Sequence, residues 1–305
     1  MSVTDVIKES LHYPFYDKIK IVYFGILYAI MGICSTIISY LISNPLLHSN
    51  YTSLANGTEN VTTLTQSVNL IASQIPSTNW YYVIILGIIA LVVGILATGY
   101  DFRVIKKAIN SENTLPKFNN FISMFIEGLK IIVVEIIYAI LPIILLSIGF
   151  TIIGLGNGGS NATLLSIGSI ICILGFLFTI FMVLVQLMAV NHMIANDGKI
   201  SYAFKFKDVV KIIGKVSWIR YIGALFMLVI ISIIIGFAAN IIVSFISVGF
   251  MMLSPKNVLL GTIVATIIVG LFINPFLSLF TDRALGSLYN ERVKDFDIDE
   301  KYIIN

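Results

Sequence analysis

Residues 99–118 read GYDFRVIKKAINSENTLPKF, a polar and basic stretch that separates two long apolar segments. Arg103, Lys106 and Lys107 lie where the preceding apolar segment ends, and Leu115-Pro116 interrupts the chain before the next one begins. Basic residues that flank apolar segments stay on the cytoplasmic side of a membrane. The stretch therefore predicts a cytoplasmic loop between two membrane spans.

The composition places the chain among integral membrane proteins. Hydrophobic residues make up 58% of the 305 residues, whereas charged residues make up only 11%. Soluble domains carry roughly one quarter charged residues, so a soluble fold is disfavoured. Cys34 and Cys172 both lie in apolar segments without metal-binding or redox spacing, and we interpret them as packing residues.

Six apolar segments are long enough to cross the hydrocarbon layer, for which about 20 residues suffice. We predict an all-α fold, a polytopic transmembrane helical bundle that forms one integral membrane domain over residues 1–305. Asn44-Pro45 is expected to end the first span, and an external loop over 44–79 and a charged cytoplasmic tail over 281–305 are expected to follow. The predicted spans are 21–43, 80–98, 131–153, 163–190, 221–253 and 258–280.

The distribution of charge predicts that both termini lie in the cytoplasm of a multi-pass cell-membrane protein. With this orientation, every Lys and Arg except Lys256 lies inside, as the positive-inside rule requires. The N-x-[ST] acceptor sites all fall in loops assigned to the outside, which agrees with the charge argument. The candidate N-glycosylation sites are Asn50, Asn56, Asn60 and Asn161.

Amphipathic segments precede the first, third and fifth spans, in residues 1–20, 121–130 and 204–216. Basic amphipathic helices of this kind lie on anionic lipid headgroups. The recurrence indicates a threefold repeat of a helical hairpin with an interfacial helix at its cytoplasmic side. The alternative is that the pattern only reflects an even number of spans, in which every second loop lies on the cytoplasmic side. The candidate anionic-lipid contacts are Arg103, Lys106, Lys107, Lys205, Lys207, Lys211 and Lys215.

The stretch that begins at Gly99 resembles the signature of an uncharacterised family of polytopic membrane proteins that occurs in archaea, especially methanogens, and in bacteria. That signature reads G-Y-x-x-R-V-x-[KR]-x-x-x-x-G-E-x-x-L-P-x-F, followed by an amphipathic segment that ends in G-L-K. Ser111 stands where the family has glycine. The resemblance implies a multi-span membrane protein and no activity. The matching residues are Gly99, Tyr100, Arg103, Val104, Glu112, Leu115, Pro116, Phe118, Gly128, Leu129 and Lys130.

A few polar residues interrupt the predicted spans. Glu135 is the ionisable residue that lies well inside a span, where a carboxylate favours a proton or cation path. The alternative is that it reaches the interface or pairs with a basic residue. Gln186, Asn240 and Asn274 complete a candidate intramembrane polar path, although such residues more often form hydrogen bonds between helices.

We expect a non-enzymatic envelope scaffold, or a membrane protein that binds lipid or a partner; a homo-oligomer is another open reading. The alternative is a small transporter or channel with a polar path near Glu135, Asn240 and Asn274. An enzyme that acts on lipid is disfavoured, because the sequence contains neither paired carboxylates nor a nucleophile motif. No catalytic, cofactor-binding or metal-binding residue is assigned, and no pattern indicates nucleic-acid binding.

Overall fold

The computed structural model describes residues 3–55, 77–159, 161–253 and 258–303. These ranges are mainly helical and contain no β-strand, and six of their helices are long and apolar enough to cross a membrane. The predicted fold class is therefore confirmed. The helices are α1 (Val3–His12), α2 (Lys18–Ala55), α3 (Ser77–Ile109), α4 (Phe121–Gly158), α5 (Ala162–Ala195), α6 (Phe206–Val216), α7 (Trp218–Leu253), α8 (Val258–Ile268) and α9 (Asn274–Ile303).

Three short elements complete the described chain. Tyr13–Tyr16 and Ile200–Tyr202 are 3-10 turns, and Val269–Ile273 is a π-helical segment between α8 and α9. The sixth candidate span, Leu259–Asn290, thus contains a π turn just before Asn274-Pro275. A π turn next to a proline accommodates the backbone carbonyl that the ring leaves without a donor, so the span continues without a break.

Several helices extend beyond the spans that hydropathy predicts. α2 continues through Asn44-Pro45 to Ala55, where the sequence predicted an end. Residues 121–130 form the first turns of α4, not a separate interfacial helix. Residues 281–303 continue α9, and Arg283 and Ala284 are buried, where a charged tail was predicted. Hydropathy marks the part of a helix that suits hydrocarbon, whereas helical hydrogen bonds continue as long as packing supports them.

The chain divides into two compact units. The first unit comprises Met1–Lys20, Thr98–Ser232 and Leu277–Asn305, and the second unit comprises Ile21–Ala97 and Ile233–Phe276.

The core of the first unit receives the apolar faces of two amphipathic helices. Val209 and Ile213 of α6 are fully buried in a cluster with Met188, Met193 and Tyr221. A second cluster receives α1, whose Val6 and Ile7 pack with residues of α7 and α9. Both helices therefore bury their apolar faces in protein, and their predicted position at the lipid headgroups stays a prediction.

Close helix contacts depend on small residues in both units. In the first unit, a Cβ on Gly149 of α4 would lie 2.6 Å from the Sγ atom of Cys172 on α5, consistent with a packing role for this cysteine. In the second unit, a Cβ on Gly25 of α2 would lie 2.3 Å from the carbonyl oxygen of Leu271. Small residues at such positions let the backbones of membrane helices approach closely.

Candidate functional site

The α3–α4 loop, residues 110–120, is held in place by side chains from distant parts of the first unit. Arg283 of α9 donates hydrogen bonds to the carbonyl oxygen of Glu112 (2.6 Å) and to Oδ1 of Asn113 (2.5 Å). The hydroxyl of Tyr13 donates to the carbonyl oxygen of Thr114 (3.3 Å). Each of these loop groups thus finds a partner that is more than one hundred residues away in sequence.

The second half of the loop is held in the same way. Nζ of Lys20 donates to the carbonyl oxygen of Leu115 (2.9 Å). The hydroxyl of Tyr100 donates to the carbonyl oxygen of Pro116 (3.2 Å). The rings of Tyr100 and Phe118 stack with centroids 4.1 Å apart. Since buried carbonyls must find donors, these bonds fix the path of a loop that has no regular structure of its own.

Arg103 secures the end of the loop. Its Nε donates to Oε2 of Glu127 at 2.6 Å, which is an ion pair between α3 and α4. Its terminal nitrogens donate to the carbonyl oxygens of Asn119 (2.7 Å), Asn120 (3.3 Å) and Lys117 (3.4 Å). Much of the hydrogen-bonding capacity of this guanidinium is therefore used inside the protein, so Arg103 is primarily a structural residue.

Gly99 allows α3 to approach α4 beside this loop. A Cβ at Gly99 would lie 1.8 Å from the carbonyl oxygen of Met124 in the first turn of α4, a distance that no side chain tolerates. Together with Tyr100, Arg103, Leu115 and Phe118, this glycine explains why the 99–118 stretch has its particular residues. They fix the loop against the helices.

The buried guanidinium of Arg283 connects the N-terminal segment to the loop. Its side chain is only 3% exposed, and it pairs with Glu9 of α1 at 2.5 Å. It also lies 4.9 Å from the ring centre of Tyr13. Burial raises the pKa of the Tyr13 hydroxyl above its usual value, so Tyr13 stays neutral and acts as a donor to the loop.

A polar cavity of about 400 Å³ opens beside the loop. Asn110, Asn119, Asn120 and Ser123 contribute amide and hydroxyl groups to its wall. We call this cavity the basic pocket. Its charged lining residues are Arg103, Lys106, Lys107, Lys117, Glu112 and Glu127.

Two of the lysines in the basic pocket have acidic neighbours. Nζ of Lys107 lies 2.5 Å from Oε2 of Glu112 and donates to Oγ1 of Thr114 (3.1 Å). The hydrogen bond from Lys107 holds the pKa of Glu112 below its usual value. Lys106 lies 3.5 Å from Asp197, whose side chain is 84% exposed, so this ion pair contributes little.

The remaining candidate lipid contacts lie on or near α6. Lys207, Lys211 and Lys215 are exposed and follow one another at intervals of four residues, so they share one side of the helix. The ammonium group of Lys205 lies over the ring of Tyr202, 3.9 Å from its centre. This cation–π contact fixes Lys205 at the start of α6.

The predicted intramembrane path is divided between the two units. Glu135 is exposed on α4 and Gln186 is half-buried on α5, both in the first unit. Asn240 of α7 and Asn274 of α9 belong to the second unit, and Nδ2 of Asn240 donates to the carbonyl oxygen of Gly236 one turn earlier. The local bond of Asn240 is typical of a polar side chain accommodated within its own helix.

Sequence reasoning missed a half-buried polar cluster in the first unit. Oγ of Ser278 donates to Oδ1 of Asp101 (2.6 Å) and lies 3.4 Å from Oδ2 of Asp282, so one hydroxyl links carboxyl groups from α3 and α9. The i, i+4 spacing of Ser278 and Asp282 was the available signal, but both residues lay near or beyond a predicted span end.

The glycosylation candidates lie at or beyond the limits of the described residues. Oδ1 of Asn161 accepts hydrogen bonds from the amides of Thr163 (3.1 Å) and Leu164 (3.2 Å), so this side chain caps α5. Asn50 belongs to α2, and Asn56 and Asn60 lie outside the described residues. In the described part of the chain, no group of His, Cys, Asp and Glu side chains is placed to hold a metal ion.

Comparisons with known proteins agree with the family resemblance in general terms. The model of a family described as "Protein of unknown function (DUF4013)" matches residues 82–244, a range that includes the α3–α4 loop. The chain is 24% identical to an uncharacterised protein of Methanocaldococcus jannaschii over 300 residues. This alignment covers 95% of this chain and 96% of that protein. No solved structure matches.

Proposed function

Because the chain belongs to the family described as "Protein of unknown function (DUF4013)", its role has to be argued from its own structure, and we propose that it is a membrane protein that binds anionic lipid headgroups. On this proposal it is a non-enzymatic, multi-pass protein of the cell membrane. Its basic surface faces the cytoplasmic leaflet.

The orientation of α6 is the observation that carries the proposal. Val209, Ile213 and the other apolar residues of α6 are buried in the first unit, so the helix is fixed on the protein. Lys207, Lys211 and Lys215 consequently point outward along one side. A lysine close to an anionic membrane surface contributes about 1 kcal/mol of attraction, and three fixed lysines act together.

The charge distribution of the whole chain supports the same orientation. α6 and the α3–α4 loop belong to the parts of the sequence that hold the basic residues, whereas Lys256 is the basic residue assigned to the opposite side. Anionic lipids of the cytoplasmic leaflet attract such segments within about 10 Å, the screening distance at moderate salt.

Lipid retention tests this proposal directly. The full-length protein is reconstituted into vesicles of phosphatidylcholine with about one fifth phosphatidylglycerol, extracted gently, and analysed for bound lipid by mass spectrometry. We expect enrichment of phosphatidylglycerol in the wild type, and loss of most of it in the variant Lys207→Gln/Lys211→Gln/Lys215→Gln. The matched control is Lys8→Gln/Lys18→Gln/Lys199→Gln, which removes equal charge from other exposed positions. Equal enrichment in the α6 variant and the wild type would refute the proposal.

Transport is the second candidate function, and the cluster of Asp101, Ser278 and Asp282 favours it. Acidic side chains within membrane helices commonly mark ion or proton paths. Single cysteines at Asn240 and Asn274, in a background with Cys34→Ser and Cys172→Ser, measure whether water reaches these positions. Labelling by a membrane-impermeant thiol reagent at both positions would favour transport. Absence of labelling, with normal labelling of a cysteine at Asn56, would contradict it.

A further inference from the structure

We infer that the basic pocket is a discrete binding site for a phosphate monoester group, with one ligand per chain. This inference goes beyond the proposed function, since it concerns one saturable site on the α3–α4 loop and not the exposed lysines of α6. Three features carry it: the size of the cavity, its charge, and the rigidity of its wall.

The size of the cavity suits one small polar group. Its volume of about 400 Å³ falls within the range of roughly 300 to 1,000 Å³ that is typical of ligand pockets. The lining includes Asn110, Asn119, Asn120 and Ser123, and the hydroxyl of Ser123 donates to Oε1 of Glu127 (3.1 Å). A wall this rich in donors and charges suits a compact anion better than an apolar or aromatic ligand.

The charge of the lining matches a dianion. Four basic and two acidic side chains line the cavity, which leaves an excess of two positive charges. Glu127 is paired with Arg103 and Glu112 with Lys107, so the excess resides on Lys106 and Lys117. Lys106 also lies 3.5 Å from the exposed Asp197 outside the cavity, and water screens this pair. A phosphate monoester carries about 1.5 to 2 negative charges at pH 7, whereas a phosphodiester or a carboxylate carries one.

The wall is already in place before any ligand arrives. The backbone of the α3–α4 loop is held by Arg103, Tyr100, Lys20, Tyr13 and Arg283. A preformed site loses little conformational entropy when a ligand binds, and this raises affinity.

The first turn of α4 adds to the positive potential of the pocket. Asn120 precedes this helix in a left-handed conformation (φ 52°) and makes no side-chain cap, and both Asn120 and Ser123 line the cavity. Amides in the first turn of a helix have no helical acceptor, and the helix dipole favours an anion there. We expect the phosphate oxygens to contact Lys106, Lys117 and these amides, while Arg103 keeps its structural bonds.

The phosphate monoester has two conceivable sources, and the experiment separates them. In the first experiment, full-length protein in nanodiscs of phosphatidylcholine is titrated with glycerol 3-phosphate. In the second, the nanodiscs also contain a few per cent phosphatidic acid or phosphatidylglycerol. Calorimetry measures the soluble ligand and native mass spectrometry counts bound lipid. Binding of phosphatidic acid alone identifies a lipid headgroup as the ligand; binding of glycerol 3-phosphate identifies a soluble phosphate ester.

The variant Lys106→Gln/Lys117→Gln tests the assignment of the site. Both lysines are exposed, so the variant should fold with an unchanged melting temperature. We expect the affinity of the pocket variant for the phosphate monoester to fall at least about tenfold. The control variant Lys207→Gln/Lys211→Gln should bind the phosphate monoester with wild-type affinity. Unchanged affinity in the pocket variant, absence of saturable binding in the wild type, or an equal fall in the pocket variant's affinity for phosphatidylglycerol would overturn the inference.

The two proposals fail separately in these measurements. If α6 does not attract anionic lipid, the α6 variant retains its phosphatidylglycerol while the pocket variant still loses the phosphate monoester. If the pocket binds no phosphate, the pocket variant behaves as the wild type while the α6 variant still loses phosphatidylglycerol.

Discussion

The connections at the two ends of α4 are built in opposite ways. The turn before α5 is held by local bonds: the amide of Gly159 donates to the carbonyl oxygen of Leu155, and Asn161 caps the next helix. The loop before α4 has a local bond from Lys107 to Glu112, but it is also held by distant partners: Arg283 lies 171 residues from Glu112, and Asn290 lies 179 residues from Ser111. The first connection needs only its own sequence, whereas the second needs the assembled first unit.

This difference has a consequence for function. A turn held by local bonds can change without effect on distant parts of the protein. A loop held by Tyr13, Lys20, α3 and α9 changes whenever any of these parts moves, and the wall of the basic pocket changes with it. The α3–α4 loop is therefore the place where the packing of the first unit and a candidate binding site meet.

The largest effect on the loop is expected from Arg283→Met. The substitution leaves Glu9 without its cation and leaves the Glu112 carbonyl and the Asn113 side chain without their donor, at a cost of about 3 to 5 kcal/mol in the free energy of unfolding. Thermal unfolding in detergent measures the loss. The double variant Glu9→Met/Arg283→Met should recover part of the stability; a double variant no more stable than Arg283→Met would contradict the pairing.

Gly99→Ala is the next test, because it separates α3 from α4 beside the loop. The added methyl group would overlap the Met124 carbonyl oxygen, and we expect a loss of about 2 to 3 kcal/mol in stability. Gly87→Ala is the matched control, because a Cβ at Gly87 has no neighbour within 4 Å. Similar melting temperatures for the two variants would show that α3 and α4 do not approach each other at Gly99.

Tyr100→Phe and Asn161→Ala should each have a smaller effect on stability, and they should differ in which connection of α4 becomes open to proteolysis. Each substitution removes hydrogen bonds at one end of α4, and each should cost about 1 kcal/mol. Limited proteolysis should separate them, since only Tyr100→Phe releases part of the α3–α4 loop and increases cleavage within residues 110–120. Increased cleavage of that loop in Asn161→Ala would show that the two connections are coupled after all.

The smallest expected effect is a pH dependence at the start of α2. Hydrogen bonds from the backbone amide and the side chain of Lys20 hold the pKa of Asp17 below its usual value, so the charged carboxylate stabilises the folded state. This contribution is fully present above the unfolded pKa and is lost as pH falls through the lower folded pKa.

Asp17→Asn tests that contribution against the wild type. The variant should be less stable by about 0.5 kcal/mol at pH 7. The difference in melting temperature should begin to shrink as pH falls below about 4, the unfolded pKa, and disappear below the lower folded pKa. Asn161→Ala serves as the control, because its effect involves no titrating group. A difference between Asp17→Asn and the wild type that stays constant with pH would contradict the role of the charge.

Hydropathy was sufficient to predict the six candidate spans. A membrane helix satisfies its own backbone, so a run of apolar residues is enough to predict it. Lys106 and Lys107 stood out because charges are rare in this chain. The helix ends were harder: residues 121–130 looked like a separate amphipathic helix because periodicity shows which face is apolar, not what covers it.

The site itself was only half visible in the sequence. Arg103 was predicted to contact lipid, but in the structure its guanidinium holds Glu127 and the loop carbonyls. Asp101 and Asp282 were missed because a one-dimensional profile cannot bring together carboxyl groups from α3 and α9.

The sequence by itself determined that this protein is helical, with six helices long and apolar enough to span a membrane, because burial of apolar surface and the satisfaction of backbone groups depend on local composition. The tertiary structure alone decided what the 99–118 stretch does. Arg283 and Glu9 are 274 residues apart in sequence, and only packing brings them together at the loop. Packing also turned the apolar face of α6 into the protein and its lysines outward.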